Sequence, residues 1–177
     1  MTVPARQAQV AVIGAHAPAP GAAAIAEELG QALAWRGLTV VCGGRGGVME
    51  AAARGAYEAG GTVIGVLPGE DPAAANPWCT HVVATGTGTA RNLAVVCSAD
   101  VVVAVAGAWG TLSEIALARC AGREVIGLAT WEMMTPGGGD PPGVVPVADV
   151  SEAMAAVERL LGRSPSLGTN STDRFAP

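Results

Sequence analysis

The sequence predicts a doubly wound α/β fold: one domain with a mostly parallel sheet and helices on both faces. Three observations carry this expectation. Apolar β-rich runs alternate with alanine-rich runs of helical period, a pattern that requires right-handed crossovers between parallel strands. The strand predicted over residues 100–106 is the most apolar, and after Asp100 its run 101–106 is unbroken by polar positions, as a strand buried on both faces should be. Half of the 177 residues are hydrophobic, which suffices for the core of one domain without disulfides or a structural metal.

The elements follow in order. Residues 10–13 are a short apolar strand ending at Gly14. Residues 22–35 read as a helix, with Ile25, Leu29 and Leu33 on one stripe and Glu27, Glu28 and Gln31 opposite, and Gly37 stops it. Residues 38–42 form the second strand, and the glycine-rich turn 43–47 opens a helix over 48–59 that Gly60 and Gly61 close. The third strand, 62–67, ends at Pro68, and 71–78 reads as a loop. A short strand at 81–84 leads through the hydroxyl- and glycine-rich turn 85–89 into a helix over 89–97. The central strand, 100–106, passes through the turn 107–110 into a helix over 111–121, ended by Gly122. A strand at 124–128, a flexible loop at 130–143, a last strand at 144–147 and an amphipathic helix at 150–161 complete the domain. The expected division is a domain over 1–162 and a mobile tail over 163–177, which lacks periodicity and is rich in Ser, Thr, Gly and Pro.

Counting excludes several chemistries. All ten basic residues are arginine. Without lysine the chain cannot form a pyridoxal aldimine or another lysine Schiff base, nor a Walker A loop. The net charge of −5 argues against a nucleic-acid coat. The start of the chain shows no apolar leader, and no apolar run approaches a membrane span. Cysteines 42, 79, 97 and 120 contain no CxxC pair, so the expectation is reduced thiols in a cytoplasmic protein and no metal site.

Ligands of open parallel sheets bind beyond the carboxyl ends of the strands. Four such ends carry glycine- or hydroxyl-rich turns, at 14–17, 43–47, 85–89 and 107–111. Glycine lets backbone approach an anion, and helix N-termini supply free N–H groups, so the expected ligand is a small phosphorylated molecule. The first turn, Gly14-Ala15-His16, is not a GxGxxG fingerprint, which disfavours an ordinary dinucleotide dehydrogenase. His16 and Arg45 stand in turns where each could meet a ligand or solvent. Thr111 followed by Glu114 fits a capping box, and the rival reading places Glu114 on the first helical turn, ionised, facing the ligand. Arg91, at the start of a helix where cations are disfavoured, calls for an anionic partner, either Glu114 or a ligand.

Val41-Cys-Gly-Gly-Arg-Gly-Gly-Val-Met49 resembles the GGGxxGLM turn of the Lonely Guy (LOG) family, and Gly107 through Glu114 resembles its PGGxGTxxE motif. Thr89-Ala-Arg91-Asn92 and Ser98-Ala-Asp100 are closest to a short bacterial subgroup of LOG-like Rossmann proteins similar to molybdenum cofactor carrier protein. The resemblance implies a Rossmann-like fold and cleavage of the N-glycosidic bond of nucleoside 5′-monophosphates such as AMP, without a required cofactor. Glu114 and Arg91 would be catalytic, the carboxylate stabilising an oxocarbenium-like state. Gly14, Gly43, Gly44, Gly46, Gly47, Met49, Gly107, Trp109, Gly110 and Thr111 would contact the ligand. The alternative implied by the subgroup is a non-catalytic carrier of molybdenum cofactor or a nucleotide. The motif's Pro-Gly-Gly is Ala106-Gly107-Ala108 here. A homodimer or homotetramer is expected, from the family and from alanine-rich helix faces suited to close packing.

Overall fold

The computed structural model describes residues 6–162, so the tail expected at 163–177 lies outside the described residues. Strands and helices alternate as β1 (Gln9–Gly14), α1 (Ala22–Trp35), β2 (Thr39–Cys42), α2 (Val48–Glu58), β3 (Val63–Leu67), β4 (His81–Ala84), α3 (Arg91–Ser98), β5 (Val101–Val105), α4 (Trp109–Cys120), β6 (Val125–Leu128), β7 (Val144–Val147) and α5 (Val150–Gly162). Short 3₁₀ turns at Pro72–Ala74 and Gly88–Ala90 precede β4 and α3. The seven strands form one sheet in the order β4-β3-β2-β1-β5-β6-β7, every pair parallel.

β1 and β5 are neighbours at the centre, and β5 is buried along its whole length. Strand order reverses between them, so their carboxyl ends flank the topological switch point. Alternation along each strand sorts side chains to two cores. Val10, Val12, Val40, Cys42, Val101, Val103 and Val105 face α1, α2 and α5. Ala11, Ile13, Val41, Val102 and Ala104 face α3 and α4. The chain is therefore a Rossmann-like single domain with helices on both faces, as the sequence predicts.

The small-residue faces are used within the chain. A Cβ on Gly30 of α1 would stand 2.1 Å from the carbonyl oxygen of Ala52 in α2, and one on Gly55 would stand 2.0 Å from that of Glu27. Ala26, Ala52 and Ala56 are fully buried in the same contact. Arg54 Nε donates to Glu27 Oε1 at 3.1 Å across it. Part of the alanine-rich surface is thus used within the chain, by α1 against α2. Dispersion explains the composition, because two backbones in contact along a stripe gain many weak contacts that larger side chains would forbid. Gly30→Ala should therefore destabilise the fold by about 1–3 kcal/mol through overpacking. Helix propensity alone would favour the alanine, so an unchanged or raised midpoint in urea would refute this contact.

Candidate functional site

The carboxyl ends of β1, β2 and β5 bring three of the predicted turns to one edge. Turn 43–47 leaves β2 with its backbone in the left-handed region at Gly44 (φ 68°) and Gly47 (φ 73°). Val48 N–H donates to the Ala15 carbonyl at 3.0 Å, which ties this turn to the one after β1. A Cβ at Gly47 would collide with the carbonyl oxygens of Ala15 and His16, and one at Gly46 would press on the His16 imidazole. At Gly14 a Cβ would meet Val48 and the Val105 carbonyl. Packing between turns accounts for these three glycines. His16 and Arg45 are both exposed.

Gly43 is different. A Cβ there would lie 2.4 Å from Arg91 Nη1 and 2.5 Å from Met49 Sδ. Arg91 opens α3 and is 9% exposed, with its guanidinium laid on the bare Cα of Gly43. Its Nη1 lies 3.8 Å from Glu114 Oε1, so the anionic partner that the sequence called for is Glu114. Its Nε is buried without a hydrogen-bond partner. Such an orphaned donor is costly unless something fills the gap.

The structure corrects the reading of the 107–114 segment. α4 begins at Trp109 with Ala108 as its cap, two residues earlier than the sequence suggests. Thr111 is therefore the third helical residue, and its Oγ1 accepts from the Ala108 N–H at 3.4 Å, reaching back to the cap instead of being one. Glu114 consequently sits in the second turn, 7% exposed. Burial pushes its carboxyl up to about 7, against the pull of Arg91 in the other direction. The expectation of a carboxylate held ionised by the helix end fails, because Glu114 has moved inward from that end into a drier place. Near neutral pH it exists in both forms, and it can gain or lose a proton as the local charge changes.

Gly107 has φ 152°, and a Cβ on it would lie 3.1 Å from Trp131 Nε1 and from the Thr111 side chain. Gly110 borders open space. The first N–H groups of α4 are free of intrahelical partners by helix geometry. Trp109 is 76% exposed and faces Trp131 with ring centroids 5.2 Å apart. Trp131 Nε1 donates to the Ala108 carbonyl at 3.3 Å. A cleft of about 460 Å³ lies beyond, between Ala129, Thr130, Trp131, Met133, Pro141 and Val147 at the ends of β6 and β7. Neither Arg91 nor Glu114 lines it. Among the described residues no group of three or more His, Cys, Asp or Glu is placed to hold a metal, and no helix is long and apolar enough to cross a membrane.

Sequence reasoning missed Trp131 and Asn76. The Asn76 N–H donates to the Gly44 carbonyl at 2.8 Å, and its side-chain Nδ2 donates to that of Arg45 at 3.1 Å. The only sequence signal was an Asn before Pro77, a turn-former in a stretch read as plain loop.

Comparison with known proteins places these features. Residues 7–154 match the model of a family described as the SLOG cluster4 family. An uncharacterized protein of Archaeoglobus fulgidus is 40% identical over 120 residues, covering 68% of this chain and 79% of that one. The molybdenum cofactor binding protein of Rippkaea orientalis is 30% identical with a TM-score of 0.80, over 88% of this chain and 98% of that one. The molybdenum cofactor carrier protein of Chlamydomonas reinhardtii is 37% identical with a TM-score of 0.80, over 89% of this chain and all (100%) of that one.

The Glu114 environment makes a signed prediction. Its folded value of about 7 lies above the ordinary 4.5, so the folded state binds the proton more tightly than the unfolded chain. Stability from this group is full below about pH 4.5 and is lost as pH rises towards 7. Between about pH 5 and about pH 8 the wild type should lose about 2–3 kcal/mol relative to Glu114→Gln. Denaturant titrations of both proteins across that range measure it, and parallel pH profiles would contradict the assigned environment.

Proposed function

This chain belongs to the SLOG cluster4 family, and from that premise we propose that it binds a molybdenum-cofactor-type ligand, a phosphorylated pterin, and holds it as cargo. The observation that carries the reading is Arg91: a buried cation with an unpartnered Nε, laid on bare glycine backbone at the switch point. An anionic phosphate fits this place. The free N–H groups at the start of α4 and the Arg91 guanidinium supply donors and positive potential. Glu114, which titrates near neutrality, takes up a proton as an anion arrives, and so lowers the repulsion it would otherwise exert. The Trp109 and Trp131 indoles offer flat apolar surface beside the turn for a fused heterocycle.

The Arg91–Glu114 pair also supports a second reading, phosphoribohydrolysis of a nucleoside 5′-monophosphate such as AMP. A carboxyl that titrates near 7 can pass a proton to a leaving base, with Arg91 holding the sugar phosphate. The relatives named above favour the cargo reading. The sequence expectations of a cytoplasmic setting and of a homodimer or homotetramer go with this proposal.

Protein purified from a host that makes the cofactor should release a fluorescent pterin on acid oxidation. Arg91→Ala should weaken pterin retention by about 10–100-fold, the loss expected for a charge-assisted contact. Gly43→Ala, which displaces the guanidinium, should act in the same direction. Absence of pterin together with no thermal shift from phosphorylated pterins would remove the cargo reading. Incubation with AMP at stoichiometric enzyme decides the second reading: adenine release supports hydrolysis, and none excludes it.

A further inference from the structure

Cys42 and Cys79 are 37 positions apart in sequence yet meet beside the 43–47 turn. Cys42 ends β2, is fully buried, and is the register partner of Gly65 in β3. Register partners on parallel strands project to the same face. A Cβ on Gly65 would lie 2.6 Å from the Cys79 sulfur. The Cys79 sulfur therefore fills the space above Gly65, next to the Cys42 side chain, and both cysteines belong to the core that faces α1 and α2. Cys79 is only partly buried, so it is the one reached from solvent.

The geometry points to Cys42 and Cys79 as a reversible dithiol–disulfide pair that locks the 76–79 segment onto the glycine turn of the ligand edge. The charge distribution suits the chemistry. Contact with Cys42 holds the Cys79 thiol below the ordinary cysteine range, while the same contact and complete burial push Cys42 up. The exposed partner is thus the nucleophile and the buried one the resolving thiol.

A low-molecular-weight disulfide such as oxidised glutathione supplies the oxidant. The Cys79 thiolate attacks one of its sulfurs, forming a mixed disulfide and expelling one glutathione thiolate. Cys42 then gives its proton to that thiolate and attacks the Cys79 sulfur, expelling the second glutathione. Two protein thiols are oxidised and one small disulfide is reduced to two thiols.

The consequence is local. Asn76 already binds the carbonyls of Gly44 and Arg45, at 2.8 and 3.1 Å, and Gly44 N–H donates to Cys42 Sγ at 3.4 Å. A covalent bond from Cys79 to Cys42 closes this set of contacts around the turn. The device stands on the thiol geometry and does not depend on which ligand the turn receives.

The test uses the whole chain with oxidised glutathione. The thiol titre should fall from four to two. Trypsin, cutting only after arginine, should then yield residues 37–45 joined to residues 55–91, and a reductant should separate them. Amide exchange across 43–47 should slow severalfold on oxidation and recover on reduction. Cys42→Ser should leave Cys79 carrying glutathione and never close the bond, whereas Cys97→Ser with Cys120→Ser should close it as the wild type does. Recovery of the two peptides unlinked, or oxidation confined to the exposed Cys120, overturns the pairing. A formed bond with unchanged exchange at 43–47 overturns the lock.

Discussion

The Arg91 guanidinium occupies the space in which any side chain at Gly43 would have to sit, with the Glu114 carboxyl 3.8 Å away. Three elements meet in that contact: β2 through its terminal turn, α3 through its first residue, and α4 through its second turn. An arginine this deep is expensive to bury, and burial lowers its hold on its proton while Glu114 raises it. What makes the position tolerable is the partner carboxyl and the closeness of bare backbone. The position of Arg91 is therefore not a property of α3 alone. It needs the turn to keep its left-handed glycines, and the turn in turn needs the hydrogen bonds from Asn76 and Val48 that hold its carbonyls and its exit.

Much of this was readable in the chain, for identifiable reasons. The central strands were legible because a parallel sheet buried on both faces writes itself as unbroken apolar runs, and β5, read at 100–106, is buried throughout Val101–Val105. Arg91 could be singled out because a cation at a helix start contradicts the dipole and so announces a partner. Glu114 was found for a related reason, but its protonation was misjudged. Thr111 looks like a cap from spacing alone. Whether α4 starts before or after it depends on Trp109 and Gly110 continuing the helix, which no local signal fixes. Two residues of helix moved Glu114 from an exposed dipole to a buried pocket, and so from a fixed charge to one that titrates. The alanine excess was read as close helix packing, and as faces available to a second subunit. Its pattern indicates close helix packing, and only the fold says that the partner is α2 of the same chain.

The turn after β5 shows how a departure from a motif can be compensated. Where the resembled motif has proline, with φ fixed near about −65°, Ala106 stands at φ 52°. No proline can adopt that conformation, and for alanine it costs about 1–2 kcal/mol. Such strain persists only when surroundings over-determine it. Here they do: Ala106 N–H donates to the Leu128 carbonyl at 3.0 Å, and the Thr130 hydroxyl donates to the Ala106 carbonyl. Ala129, the residue after β6, is left-handed too, at φ 50°.

The path of the 106–108 turn is thus set by the neighbouring strand and its loop, not by a locally rigid proline. Trp131 extends the same dependence, since its indole N–H binds the Ala108 carbonyl and its ring meets Trp109. A proline-built turn presents its N–H groups independently of what lies beyond β6. This one presents them through contacts with the loop that walls the adjoining 460 Å³ cleft. A ligand that spans the helix start and reaches towards that cleft would therefore meet both partners of one coupled arrangement. The cargo proposed for this chain, a phosphorylated heterocycle, is a ligand of that extended kind; a small phosphate alone is not.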